Sequence, residues 1–237
     1  MLPPETEKVW TFLKEQPALA GFVLVGGSAL ALRIHHRLSE DLDFACLEVH
    51  LPRTRVDMLV RMGAAAGFEF RRNDDAAAAD EFLQGGLDLH DFQQDFLVNS
   101  VVKVSFFVSG SELIKVLTAP PESRARIATL PELFKAKCLV SARRSKTRDW
   151  LDLYLLMQQH GFSIQDYRGA FREAGNDSEC DIGLSRLCSG TPQKNDEGYA
   201  HLLENAPTVE QMANFFKAQR DKLEVALAAE RRRQSEK

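Results

Sequence analysis

The stretch of sequence that decides the fold is VLVGGSALALRIHHRLSEDLDF, residues 23–44. Its first three residues are apolar and predict a buried strand. Gly26 and Gly27 predict a tight turn, because glycine adopts backbone angles that other residues avoid, and Ser28 begins an amphipathic helical pattern. The end of the stretch, DLDF at residues 41–44, alternates polar and apolar side chains and predicts a second strand.

The polar residues of this stretch suit a phosphate and a divalent cation. The N–H groups and the dipole at the start of a helix favour an anion. Side chains alternate along a strand, so Asp41 and Asp43 should project to one side. Magnesium is usually held by one or two carboxylates together with phosphate oxygens of a substrate. The stretch therefore predicts a nucleotide site with phosphate ligands Gly26, Gly27 and Ser28 and Mg²⁺ ligands Asp41 and Asp43.

The composition is that of a globular intracellular protein. The chain has 237 residues and a formal net charge of -4, which argues against a wholly basic nucleic-acid coat. Its four cysteines form no C-x-x-C pair and there is no H-E-x-x-H motif, so neither a zinc site nor a disulfide framework is indicated. No signal peptide or apolar segment of membrane-spanning length is found, and a cytoplasmic location without membrane contact is expected.

The order of predicted elements indicates an α/β (α+β) fold with two domains. Residues 1–119 read as a small mixed sheet with flanking helices, and residues 101–108, rich in β-branched and aromatic side chains, read as a central strand. Pro120 and Pro121 interrupt the chain, and residues 120–237 read as a helical domain. Its helices are predicted at 130–144, 147–160, 163–174 and 208–233. Residues 73–84 and 87–98 are ambiguous, and 176–204 stay unassigned.

A second group of charged residues occupies KCLVSARRSKTRDWLD, residues 137–152. Lys137 and Arg144 lie about two helical turns apart, on one face of a helix. Asp149 and Asp152 share a face of the next helix at i, i+3 spacing. The cations could clamp a triphosphate, and the carboxylates could hold a metal or orient an attacking hydroxyl. Alternatively these charges form only a solvated helix hairpin, with Arg148 and Asp152 paired at i, i+4.

The two groups together resemble a known family. GGSALALRIHHRLSEDLDF resembles the first motif of the DNA polymerase β-like nucleotidyltransferases, in which a Gly-Ser turn precedes an Asp-x-Asp strand. The second group follows K-x6-R-x-K-x-R-D-x2-D, the signature of the AbiEii/AbiGii toxin family. The residues that carry this second motif are Lys137, Arg144, Lys146, Arg148, Asp149 and Asp152.

The resemblance implies a Mg²⁺-dependent nucleotidyltransferase, a toxin of a type IV toxin–antitoxin or phage-defence system with a cognate antitoxin. By position, Ser28 would contact phosphate, Asp41 and Asp43 would bind Mg²⁺, and Lys137 would contact the triphosphate. Asp149 would complete the acidic site, and the remaining residues of both motifs would line the nucleotide site. A cleft between the two domains would hold the nucleotide, and the acceptor hydroxyl would belong to RNA, as in relatives that extend the 3′ end of tRNA.

One position departs from the pattern of the superfamily, which usually supplies a third carboxylate from a neighbouring central strand. The candidate strand presents Lys103 and Ser105 on one face, with serine where an aspartate is expected. Either Asp149 or Asp152 supplies the missing charge, or activity is weakened, or the strand alignment differs. Ser105 therefore leaves open a degenerate protein that binds a nucleotide or a partner without catalysis. A second alternative keeps the fold and changes the acceptor, as in an aminoglycoside-type adenylyltransferase.

Overall fold

The protein consists of two compact units. The computed structural model describes the backbone of residues 1–235 and the side chains of residues 1–233. The first unit is Met1–Leu133, and the second begins at Phe134. Within the described residues, no helix is both long and apolar enough to cross a membrane.

A mixed sheet forms the centre of the first unit. In chain order its elements are α1 (Pro4–Leu13), β1 (Val23–Val25), α2 (Gly26–Ile34), β2 (Leu42–Cys46), α3 (Arg53–Ala65), β3 (Phe70–Arg72), α4 (Ala76–Gln84), β4 (Gln93–Val98), β5 (Val102–Val108), α5 (Ser111–Val116) and β6 (Arg126–Ile127). The strand order is β3-β4-β5-β2-β1-β6. The pairs β2–β5 and β1–β6 are parallel, and the other neighbouring pairs are antiparallel.

The local predictions for this unit are confirmed at its centre. The strand, glycine turn, helix and second strand follow one another as β1, α2 and β2, and the strand predicted over residues 101–108 is β5, an interior strand. The ambiguous residues 87–98 contain β4. Residues 73–84 contain α4, which begins after Asp75, whose carboxylate accepts hydrogen bonds from the N–H groups of Ala77 and Ala78.

Stacked aromatic rings fill the apolar side of the sheet. Phe44 of β2 and Phe106 of β5 are fully buried, and their ring centroids lie 5.3 Å apart. Trp10 of α1 stacks on Phe44 at 6.3 Å, and Phe96 of β4 meets Phe106 edge to face at 6.1 Å. Since a buried aromatic side chain removes 150–250 Å² of surface from water, this cluster anchors three strands and α1.

The first unit extends beyond the predicted boundary at Pro120. Strand β6 pairs with β1, and the helix α6 (Leu130–Arg143) begins in this unit. The side chains of Arg126 and Glu132 are buried and form two hydrogen bonds of 2.8 and 2.9 Å. Glu132 also accepts hydrogen bonds from the backbone N–H groups of Ala119 and Thr129. These contacts tie residues 120–133 to the sheet.

Glu132→Gln should destabilise the protein by about 3 kcal/mol at pH 7, because it leaves the Arg126 charge buried without its anion. Burial by itself raises the pKa of Glu132, but the bonds from Arg126 and the backbone outweigh it and lower that pKa from 4.5 to about 2. This contribution to stability is present above the ordinary pKa and is lost as the pH falls through the folded-state pKa. Denaturant unfolding of wild type and variant should therefore differ most at neutral pH, and the difference should shrink between about pH 5 and pH 2.

Glu122→Gln is the matched control, because Glu122 is exposed. This variant should change the free energy of unfolding by less than about 0.5 kcal/mol. A stability difference between wild type and Glu132→Gln that is the same at pH 3 as at pH 7 would show that ionisation of Glu132 does not stabilise the fold.

The second unit is helical. After α6 come α7 (Thr147–Gln159), α8 (Ile164–Ala174), α9 (Glu179–Ser189) and α10 (Val209–Ser235). The helices predicted at 130–144, 147–160, 163–174 and 208–233 are confirmed within a residue or two. The capping box of α10 is formed, since Thr208 N–H donates to the Gln211 side chain and Gln211 N–H to the Thr208 hydroxyl. Helix α9 lies in the segment that the sequence left unassigned.

Candidate functional site

The glycine turn between β1 and α2 brings the backbone against a carboxylate. Gly26 has a φ of +75°, and a Cβ at this position would lie 2.8 Å from Asp43 Oδ2. Among residues 1–233, no side chain caps the start of α2 at Val25. The predicted tight turn and close approach are therefore present, and the first-turn N–H groups of α2 lie next to the Asp43 carboxylate, an arrangement that suits an anion bridged to a cation.

Gly26→Ala tests this close approach. Both the left-handed backbone angle and the contact with Asp43 disfavour a methyl group at this position. Gly21 has a similar φ of +78° but nothing within 4 Å of its added Cβ, so Gly21→Ala measures the backbone strain alone. We expect Gly26→Ala to lower the free energy of unfolding, measured by chemical denaturation, by about 1–3 kcal/mol more than Gly21→Ala does. Equal losses would mean that the Asp43 carboxylate moves aside at no cost.

Ser28 and Gly27 organise the loop that leads into β2. Ser28 is buried, and its hydroxyl donates to the carbonyl of Asp41 and lies 3.1 Å from Ser39 Oγ. A Cβ on Gly27 would lie 2.7 Å from Ser39 Oγ and 2.7 Å from an Arg37 guanidinium nitrogen. The Ser28 hydroxyl thus holds the backbone of Asp41 at the end of this loop.

Arg37 is a candidate site residue that the sequence analysis missed. Its side chain is buried, donates to the carbonyl of Leu38 at 2.9 Å and packs against Gly27. A guanidinium at the start of α2 adds a full positive charge to the partial charge of the helix terminus. The sequence signal was a lone arginine between the helix and the Asp-x-Asp strand, which resembles an ordinary surface residue.

Strand β2 places its alternating residues as predicted. Leu42 and Phe44 are buried in the core, Asp43 is half-buried, and Asp41 is exposed immediately before the strand. The register pairs Asp43 with Val25 on one side and with Ser105 on the other. The strand alignment that placed Ser105 at this position is therefore correct, and serine stands beside Asp43 in the sheet.

The donor set fits a magnesium ion that shares its coordination with a substrate. No group of three His, Cys, Asp or Glu residues suited to a metal occurs among the described residues. The Asp43 carboxylate lies against the start of α2, and Asp41 lies two residues before it; one or two carboxylates are the protein ligands that Mg²⁺ accepts when phosphate and water complete its octahedron. Asp41 and Asp43 would hold the ion in this case.

In the second unit, Lys137 joins two buried aspartates. Its ammonium lies 2.6 Å from Asp149 Oδ1 and 2.7 Å from Asp152 Oδ2, and none of the three side chains is more than 8% exposed. The spacing of Asp149 and Asp152 predicted their shared face on α7, but it did not predict that Lys137 of α6 would pair with both. We call these three residues the lysine cluster.

Arg144 extends the lysine cluster to the surface. Its Nε donates to Asp149 Oδ2 at 2.7 Å, while 48% of its side chain remains exposed. Burial by itself raises the pKa of Asp149, but the charge of Lys137 and the hydrogen bond from Arg144 outweigh it and lower that pKa below its ordinary value. Asp149 is therefore ionised at neutral pH, and Arg144 presents part of its charge to solvent.

The other basic residues of this region meet carboxylates that lie far away in the sequence. Lys146 and Arg148 each lie 3.1 Å from Glu197, and Arg148 also donates to the carbonyl of Gly198. Asp196 accepts hydrogen bonds from the N–H and the hydroxyl of Thr147 at the start of α7. The unassigned segment thus supplies acidic partners that the local sequence lacks, and the positive field of residues 135–148 is partly neutralised.

The chain matches the model of one known protein family and the sequence of one relative. The model of the family described as nucleotidyl transferase AbiEii toxin, type IV TA system, matches residues 11–227. An uncharacterized protein of Aquifex aeolicus (strain VF5) is 27% identical over 145 residues, which are 61% of this chain and 62% of that protein. This chain thus spans less than two thirds of the length of that relative.

Two solved structures share the fold. The crystal structure of JHP933 from Helicobacter pylori superposes with a TM-score of 0.50 at 19% identity, covering 99% of this chain and 100% of the other. MenT4, a nucleotidyltransferase toxin from Mycobacterium tuberculosis H37Rv, superposes with a TM-score of 0.54 at 15% identity, covering 90% of this chain and 82% of the other. At these identities the likeness concerns the mixed α/β architecture.

Proposed function

This chain belongs to the AbiEii nucleotidyl transferase toxin family of type IV toxin–antitoxin systems, and we propose that it transfers a nucleoside monophosphate from a nucleoside triphosphate to a hydroxyl of RNA. The acceptor oxygen would attack the α-phosphorus, and pyrophosphate would leave with the electrons of the broken bond. The proposed acceptor is the 3′ end of tRNA, and the proposed location is the cytoplasm.

The observation that carries the proposal is the contact between Gly26 and Asp43. It places a carboxylate against the N-terminus of α2, where backbone N–H groups favour phosphate. A phosphate at this terminus and a cation on Asp41 and Asp43 would neutralise one another. Bound Mg²⁺ would supply charge stabilisation for the attacking and leaving oxygens.

The second unit supports the same chemistry with cations. Lys137 and Arg144 carry positive charges that could meet phosphate oxygens and offset the charge of departing pyrophosphate. Arg144 is half exposed and can reach a ligand without leaving Asp149 entirely uncompensated, because Lys137 also contacts Asp149. Lys146 and Arg148 would hold the start of α7 through Glu197, and Asp152 would hold the Lys137 ammonium.

An RNA acceptor is favoured by the exposed arginines at the end of α6. Arg143 and Arg144 are both exposed, next to Lys146 and Arg148. Binding through phosphate contacts releases counterions, so the affinity for RNA should fall steeply with salt. Transfer should then show a salt-dependent KM for RNA and a weaker dependence for the triphosphate.

Incubation with each labelled NTP, Mg²⁺ and a tRNA pool tests the proposal. We expect label at the 3′ end of RNA, loss of transfer with EDTA, and loss of transfer in Asp43→Asn. Label on an aminoglycoside but on no RNA would assign a small-molecule acceptor. Calorimetric binding of NTP without transfer to any acceptor would indicate a nucleotide-binding protein that is not a transferase.

The family also implies a cognate antitoxin. Growth arrest on expression of this chain, abolished by Asp43→Asn, would support the toxin function. Co-expression with the product of an adjacent gene should restore growth if that product is the antitoxin.

A further inference from the structure

A row of polar residues crosses three neighbouring strands of the sheet. Asp43 of β2 pairs in register with Ser105 of β5, and Ser105 pairs with Asp95 of β4. Residues that pair across strands lie on the same face, with Cβ atoms about 4.5–5.5 Å apart. Asp43, Ser105 and Asp95 therefore form one continuous row, with the serine in the middle.

The Asp95 carboxylate is buried and only half satisfied. The residue is 4% exposed, and its Oδ2 accepts a hydrogen bond from the Gln93 side chain at 2.8 Å. Its Oδ1 is closed to solvent and has no hydrogen-bond partner among the described residues. Buried polar atoms are nearly always hydrogen-bonded, and leaving one unpaired costs about 1–3 kcal/mol. Asp95 Oδ1 therefore has the capacity to accept a further hydrogen bond or a proton.

The fold does not require a carboxylate at this position. The N–H of Asp95 donates to Asp74 Oδ1 at 2.8 Å, and its carbonyl accepts from the N–H of Asn73 at 2.9 Å. Both bonds use the backbone, which any residue other than proline supplies. These two bonds therefore do not explain why the buried side chain carries a carboxyl group.

We propose that Ser105 and Asp95 form a proton relay beside Asp43, an inference that rests on the proposed nucleotidyl transfer. Asp95 Oδ1 is closed to solvent, and Ser105, which is 6% exposed, lies between Asp95 and Asp43 in the row. Rotation about the Cα–Cβ bond of Ser105 moves its hydroxyl among staggered positions, one of which can point toward its cross-strand neighbour.

The proposed step transfers one proton and one nucleotidyl group. As the acceptor oxygen bonds to the α-phosphorus, its proton passes to Ser105 Oγ, and the proton of Ser105 passes to Asp95 Oδ1. The bond from the α-phosphorus to the bridging oxygen breaks, and pyrophosphate leaves with the electron pair. Asp95 is thus a positioning residue that acts through Ser105, and the proton later leaves Asp95 by the same path through Ser105.

Asp95→Asn and Ser105→Ala test the relay. Each variant should lower kcat for transfer by ~10²-fold, because proton transfer contributes this much, and leave the KM for NTP within about twofold. The double variant should lose no more than either single variant, since each breaks the same path. Asp80→Asn, a change of the same chemistry at an exposed residue of α4, is the control and should keep full kcat.

A wild-type kcat in Asp95→Asn would overturn the relay. So would a double variant whose fold-loss in kcat equals the product of the fold-losses of the two single variants. If Asp95→Asn lowers the Tm, Ser105→Ala becomes the deciding variant, because it removes a single oxygen. A wild-type kcat in Ser105→Ala also overturns the relay. Absence of transfer in the wild-type protein would instead contradict the proposed function. An active wild type that loses transfer only in Asp43→Asn would retain that function and exclude the relay.

Discussion

Asp43→Asn is expected to lower nucleotidyl transfer by at least ~10³-fold, because the metal site loses a charged ligand whose effect on the transition state is worth several kcal/mol. Asparagine has the size of aspartate, so the contact with Gly26 and the pairing with Ser105 can persist. The Tm should therefore stay near that of wild type. Rate measurements with saturating NTP and acceptor, together with thermal unfolding, check both expectations.

Metal binding gives a second measurement that does not depend on turnover. Mn²⁺ titration followed by electron paramagnetic resonance should show weaker binding to Asp43→Asn in the presence of a non-hydrolysable NTP analogue. Glu40→Gln is the control, because Glu40 is exposed two residues before Leu42 and should leave transfer and Mn²⁺ binding unchanged. An Asp43→Asn variant with wild-type transfer would contradict the assignment of this carboxylate to the metal.

The parts of the site that could be predicted from sequence are those set by local geometry. Gly26 needs a positive φ whatever lies around it, and the alternation of a strand decides that Leu42 and Phe44 are buried. The helical repeat likewise decides that Asp149 and Asp152 share a face. These rules act within a few residues, so a single sequence contains them.

The parts that could not be predicted depend on partners distant in the chain. Glu197 meets Arg148 across 49 positions, and β6, with two residues, is too short to leave a periodic signal. Arg37 and Asp95 looked like ordinary polar residues, since only the packing of the loop and the register of β4 against β5 place them near Gly27 and Ser105. Their burial is a tertiary property.

Lys137→Met should destabilise the protein by about 3–5 kcal/mol, the largest stability change that we expect from a single substitution in the second unit. Methionine fits the space of the lysine stem, but it leaves Asp149 and Asp152 buried without the ammonium that contacts both. Lys135→Met is the matched control on the same helix. Lys135 pairs with Glu173, and both side chains are partly exposed, so its loss should cost less than about 1 kcal/mol.

The pH dependence separates a charge effect from a packing effect. In wild type the lowered pKa of Asp149 contributes stability that is present above the ordinary pKa of a carboxyl and is lost as the pH falls through the folded-state pKa. In Lys137→Met, Asp149 binds a proton more readily, because the effect of burial on its pKa is then offset without the ammonium, by Arg144. The difference in unfolding free energy between the two proteins should therefore shrink on acidification, and a difference independent of pH would indicate a packing defect.

Removing all three charges distinguishes the structural role of the lysine cluster from its proposed catalytic role. The triple variant Lys137→Met, Asp149→Asn, Asp152→Asn leaves no buried carboxylate without a partner, so it should recover much of the stability lost in Lys137→Met. We expect no nucleotidyl transfer by the triple variant, because the proposed contact with the triphosphate requires the Lys137 ammonium. A triple variant that regains both stability and transfer would show that Lys137 serves the fold alone, since restored folding would then be sufficient for catalysis.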